Sequence, residues 1–298
     1  MADLLEKLLG ATLAVFMAGS LLEMGLKLDL KQAGHALRDI RFMVTALLWS
    51  FVIGPALAML LARGLPLAEP YALGLILLGL APCAPFVPLI SGKAGADLNY
   101  VAAYLLLASV GTMFILPIMV PMVAPELAAN WWMIARPLLL FIALPLAIGI
   151  CVRLFASTFA DKSHPIVKQV TAVDIILMLG IVLLLYWREF LSAVGSYAIG
   201  AQMLYYCLLA AAAYGLGFGL AHEKKSALVL GLCTRNVGAA MAPLLSVSSP
   251  DQRATVMCVM AVFITLAVGS GVAHLLGRRN PAGRKPTGSG KTYLRVSS

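Results

Sequence analysis

Residues 227–245 read "ALVLGLCTRNVGAAMAPLL", apolar or small at nearly every position except Thr234-Arg235-Asn236 at the centre. The fold turns on whether this arginine interrupts a soluble core or a membrane-spanning segment. Of 298 residues, 61% are hydrophobic and 12% are charged. Soluble domains hold about half apolar and about a quarter charged residues. The apolar residues form runs of about 20, long enough to cross a bilayer as helices. The sequence therefore predicts an all-α polytopic membrane protein, with lipid as its surroundings.

Nine spans are expected, over roughly 5–26, 41–62, 70–92, 98–123, 133–155, 167–187, 198–221, 226–247 and 253–277. Short polar breaks separate them: "KLDLKQAGHALRDIR" after the first, "FASTFADKSHP" after the fifth, "AHEKK" before the eighth and "SSPDQR" before the ninth. Residues 1–277 read as a single transmembrane domain with no room for a soluble one. The tail 278–298 is basic, polar and glycine-rich, and is expected to be disordered. No cleavable signal peptide is expected, because acidic Asp3 and Glu6 precede the first run.

The basic residues are asymmetric. Lys7, Arg63, Arg136, Arg188 and Arg253 fall on the N-terminal side of the nine spans, and Arg235 falls within one. The other 16 of the 22 lie on the opposite side. Basic loops stay in the cytoplasm, so the N-terminus is expected outside and the C-terminus inside, with a bacterial inner membrane as the setting. A basic face against an anionic leaflet accounts for the net charge of +9 without any nucleic acid. The sequence leaves the oligomeric state open.

Two spans cannot be straight helices. Residues 79–97 read "GLAPCAPFVPLISGKAGAD", with Pro82, Pro85 and Pro88 at membrane depth. Each proline removes a backbone donor and clashes with the preceding turn. The stretch 227–245 flanks its polar centre with Gly231 and Gly238. Backbone groups freed at that depth must be buried in protein or line a wet cavity. Each broken span is followed by one last span of its half. Broken helices in corresponding places mark inverted-repeat secondary transporters, whose substrate site lies where the breaks meet. The repeats are 1–123 with four spans and 133–277 with five, so one helix of the first is missing.

Other motifs carry less. "GSGKT" at 288–292 looks like part of a phosphate-binding loop, but Lys285 stands where the pattern needs glycine. Cys83, Cys151, Cys207, Cys233 and Cys258 show no paired metal-ligand spacing. The four histidines are scattered and form no triad. No enzyme is expected, and no cofactor beyond a possible coupling ion, sodium or proton.

Taken in order, four stretches resemble the bile acid:sodium symporter family, within the wider group that includes arsenite exporters. "MGLKLDLKQAGHALRDIRF" at 24–42 is similar to the family's first connection with its short amphipathic helix. "LAPCAPFVPL" resembles its first crossover, and "GADLNYVAAYLLLASVGTMFILPI" the span that follows. "CTRNVGAA" resembles the second crossover, where members carry Gln-Asn-x-Gly; Asn236 and Gly238 match. The resemblance implies a panel domain and a core domain holding two crossed helices.

The resemblance also implies sodium sites, and there this chain departs. The family glutamate opening the second crossover is Gly231, and the glutamine before the shared asparagine is Arg235. The remaining ligand positions fall near Pro88, Val101, Leu105 and Ser50. Arg235 then reads as a tethered cation in a former sodium site, since a guanidinium does not lose its proton. Asp174 and Glu23 are its candidate partners, and Asp174 could instead carry a coupling proton. A salt bridge serving only stability is the plainer reading.

The expected function is secondary transport of a small, partly apolar organic anion by alternating access, with sodium coupling in doubt. The expected site comprises Pro82, Cys83, Pro85, Pro88, Thr234, Arg235, Asn236, Gly238 and Ser50. The alternative is a metalloid exporter using Cys83 and Cys233, because thiolates suit soft species.

Overall fold

The computed structural model describes residues 2–28, 30–127, 131–245, 247 and 251–279. The expected tail from residue 280 onward, with its GSGKT fragment, lies outside the described residues. In chain order the helices are α1 (Ala2–Lys27), α2 (Leu30–Leu37), α3 (Ile40–Gly64), α4 (Glu69–Leu80), α5 (Val87–Ser91) and α6 (Leu98–Val123). There follow α7 (Trp131–Phe155), α8 (Ser157–Ala193), α9 (Ala198–Gly215), α10 (His222–Leu232), α11 (Val237–Leu245) and α12 (Gln252–Arg278). Seven of these are long and apolar enough to cross a membrane: α1, α3, α6, α7, α8, α9 and α12. Residues 69–91 and 222–245, where the other two expected spans lie, are each split into two short helices. Large apolar side chains cover the outside, among them Phe155, Ile176 and Leu184. The chain is an integral membrane protein.

Two boundaries differ from expectation. The polar connection expected over "FASTFADKSHP" shrinks to Ala156, and α8 carries Pro165 inside it. The carbonyl that Pro165 leaves unpaired is that of Asp161, an exposed residue whose side chain pairs with Arg153 at 2.5 Å across the turn. A helix therefore runs through a stretch whose polarity had suggested a loop. The seventh expected span stops early, at Gly215.

At two further places proline is absorbed by widening. The five residues Trp49–Ile53 form a π turn before Gly54-Pro55, and Leu139–Ala143 form another before Leu144-Pro145. Proline cannot donate to the preceding turn, and one residue of slack removes the clash without ending the helix.

Because the helices are apolar on most faces, small residues decide how they pack. Helix α1 lies against α7 and α8. It approaches α7 tightly at Gly25 and Gly149, where a Cβ on Gly25 would sit 2.7 Å from the Leu146 carbonyl oxygen and 2.9 Å from the Gly149 Cα. The remaining spanning helices gather round the two interrupted stretches, with α4 between α3 and α12, and α10 against α6 and α9.

At one end of this second group Asp39 ties three elements together. It caps α3 by accepting from the Phe42 amide at 3.1 Å, and it accepts from the Tyr100 hydroxyl at 2.9 Å and from Lys224 Nζ at 2.6 Å. The Lys224 ammonium also lies 4.6 Å from the centre of the Tyr100 ring. Lys224, aided by the Phe42 amide and the Tyr100 hydroxyl against the cost of burial, holds the Asp39 carboxyl down to about 2.

Two outcomes follow for thermal unfolding in detergent. Gly25→Ala forces two backbones apart and should cost about 1–3 kcal/mol; an unchanged midpoint would contradict the contact. A carboxyl depressed in the folded state stabilises it above the unfolded value near 3.9, and that contribution fades as pH falls towards about 2. Asp39→Asn should therefore lower stability at pH 7 by on the order of 1 kcal/mol, with the difference from the parent closing as pH falls from about 4 towards 2. A gap that stays constant through acid would contradict the ion pair.

Candidate functional site

Chain breaks bring the site together. Helix α4 ends at Leu80 and α5 begins at Val87; α10 ends at Leu232 and α11 begins at Val237. The unwound segments between them cross and pair antiparallel through Pro82 and Arg235. The Cys83 amide donates to the Thr234 carbonyl at 3.1 Å, and the Asn236 amide to the Ala81 carbonyl at 3.0 Å. Cys83 adopts φ +66°, a left-handed turn that side chains other than glycine adopt at a cost.

Side chains finish the crossing. The Thr234 hydroxyl accepts from the Ala84 amide at 3.2 Å and donates to the Leu230 carbonyl at 2.9 Å. The Asn236 carboxamide oxygen accepts from the Ala239 amide at 3.1 Å and so caps α11. Gly238 faces α1, where a Cβ would strike the Met17 side chain.

Among the described residues Arg235 is the only buried cation, at 1% exposure. Its Nη2 donates to the Tyr205 hydroxyl at 2.6 Å, which in turn donates to the Gly54 carbonyl at 3.1 Å. The guanidinium carbon lies 5.0 Å from the centre of the Tyr205 ring, a cation–π distance. Its Nε and Nη1 are enclosed and have no hydrogen-bond partner.

The carboxylates expected to pair with Arg235 do not reach it. Glu23 lies 3.6 Å from His164, and Asp174 is buried on α8 with Oδ2 unpartnered. Among the described residues no carboxylate pairs with the guanidinium. Backbone, phenol and ring face supply its surroundings in place of an ion pair. Ser50 lies in the π turn of α3 and shares a 2.6 Å hydrogen bond with the Tyr104 hydroxyl. The Tyr104 ring fills the space beside Gly231, where a Cβ would fall inside it.

A cavity of about 490 Å³ lies between the α1–α8 pair and the crossing. Pro85, Pro88 and Arg235 line it from the crossing, and Val101 and Leu105 from α6. Phe16, Glu23 and Lys27 line it from α1, and Lys168, Thr171 and Ile175 from α8. Of the four charged residues on its walls among the described residues, Lys27, Lys168 and Arg235 are basic and Glu23 is acidic. Cys83 and Cys233 are buried outside this lining, and among the described residues no cluster of three metal-ligating side chains occurs.

Sequence reasoning missed Tyr104, Tyr205, Lys27, Lys168 and Thr171. A signal was available for the phenols, since both lie well inside their apolar runs and away from the ends, where tyrosines usually gather. Lys27 and Lys168 enter the sequence reading only among the basic residues on the side opposite the N-terminus.

The model of the Sodium Bile acid symporter family matches residues 13–193, more than half of the chain. The match includes the first crossover and ends before the second. No curated protein matches the chain.

The crossing makes a direct test possible. Thr234→Val keeps shape but strands the buried Ala84 amide, and should cost about 1–3 kcal/mol of stability. Thermal unfolding unchanged from the parent would show that another acceptor serves that amide.

Proposed function

Because the chain belongs to the sodium bile acid symporter family, whose members are transporters, we propose that it is a secondary transporter of a small, partly apolar organic anion. The observation that carries this reading is the cavity of about 490 Å³, with apolar walls and three cations against one acid, set against two crossed, interrupted helices. Apolar walls with a few placed charges suit a bile-acid-like or smaller aromatic carboxylate better than a polyanion, whose several charges they would leave unpaired.

In this reading the chain crosses the membrane nine times, counting the two interrupted stretches. Helices α1, α7 and α8 form the panel, the remaining spans form the core, and the cavity between them is the substrate site. Alternating access is rocking of one group against the other. With the N-terminus outside, the cavity reaches the cytoplasmic side, where Lys27 and Lys168 stand. A soft metalloid held by Cys83 and Cys233 has less support, since both thiols lie outside the cavity's lining.

Uptake by the protein in proteoliposomes tests this. A labelled bile acid or an aromatic monocarboxylate should enter, and Arg235→Ala should lose at least tenfold while eluting as a folded protein. Normal uptake by that variant would remove the crossing from the site. Absence of uptake of either compound by the parent would overturn the anion assignment.

A further inference from the structure

We infer that the transporter works without sodium, and that the Arg235 guanidinium is a built-in cation standing where a diffusible one would bind. This rests on the transporter reading for its meaning, but not for its test. Sodium is what the family implies, and a hard cation must find oxygen ligands. The residues present do not fit one.

Consider each position where the family resemblance places a ligand. Gly231 has no side chain, and the Tyr104 ring occupies the space beside it. Pro88, Val101 and Leu105 carry no side-chain oxygen, and the last two are buried apolar residues on α6. Ser50 does carry one, but it is joined to the Tyr104 hydroxyl at 2.6 Å. A second phenol, Tyr205, accepts from Arg235 and gives its own proton to Gly54. At the crossing itself, the Ala81 and Thr234 carbonyls accept from the Asn236 and Cys83 amides.

At the positions where the resemblance places side-chain ligands, oxygen is therefore absent or, at Ser50, already engaged, and a group that keeps its charge at any physiological pH stands among them. A second cation arriving there would meet repulsion in a medium that screens poorly. The enclosed guanidinium already does what a bound ion would do. It brings one positive charge to the unwound segments, and it joins them to the Tyr205 hydroxyl of α9, which itself donates to the Gly54 carbonyl of α3.

The test uses purified full-length protein in detergent. Thermal unfolding is compared in sodium chloride and potassium chloride at equal ionic strength, with equilibrium dialysis against ²²Na⁺. An ion bound only to the folded state raises its stability in proportion to RT ln(1 + [L]/Kd). The parent should unfold at the same temperature in both salts and show no saturable ²²Na⁺ binding. A sodium-specific rise, or saturable binding, overturns the inference.

Two variants separate charge from shape. Arg235→Lys keeps the charge and should stay folded and indifferent to sodium. Arg235→Gln puts back the neutral amide and should unfold at a lower temperature than the lysine variant, or fail to fold. A glutamine variant as stable as the parent, or a lysine variant that does not fold, shows that the charge is not what the site requires and overturns the inference. None of these measurements reads transport, so they stand apart from any failure of the anion assignment.

Discussion

Everything in the centre of this molecule depends on two backbone hydrogen bonds, Cys83 to Thr234 and Asn236 to Ala81. In a bilayer an interrupted helix leaves amides and carbonyls with no water to receive them, at several kcal/mol each. A single interruption has no good remedy. Two interruptions remedy each other by crossing, each supplying what the other lacks. The prolines at 82 and 85 are accommodated because Thr234 lies opposite to satisfy the Cys83 and Ala84 amides between them, Pro88 because it falls in the first turn of α5, and the glycine at 231 because Tyr104 fills its place. The crossing also dictates where a cavity can form. Unwound backbone does not present the regular ridges and grooves of a helix, and a crevice lies between it and the α1–α8 pair.

A large part of this was legible in the chain. Apolar runs without amphipathic stripes fix helices across a membrane, because lipid permits little else. The two interruptions are visible as prolines and as a polar triplet, since each violates the rule that a span should be smooth. The same composition-based reasoning misplaced the start of α8. There it took polarity for a loop, whereas an amphipathic turn carrying the Arg153–Asp161 pair continues the helix through Pro165.

The site was legible in outline and not in its wiring. Arg235 stands out by type, but the sequence suggests carboxylates as its partners, because opposite charges are the obvious remedy for a buried cation. The structure uses a phenol, its ring face and a carbonyl beyond it. That choice depends on which faces of α3 and α9 meet the crossing. Those helices are apolar all round, so no periodicity reveals it. Lys27 and Lys168 were obscured for the opposite reason. Lysines near span ends are ordinary topological markers, and only the fold shows these two sharing a wall with Arg235.

An enclosed guanidinium in a spanning protein is also a charge inside the transmembrane electric field. One elementary charge carried across the whole field is worth about 2.3 kcal/mol per 100 mV. Arg235 is fixed to the crossing through its own backbone and cannot be left behind. Any rearrangement that shifts the crossing along the membrane normal carries this gating charge with it, whether the cavity is loaded or empty. If the two groups of helices rock as proposed, the balance between the two facing states would depend on voltage in the resting protein itself.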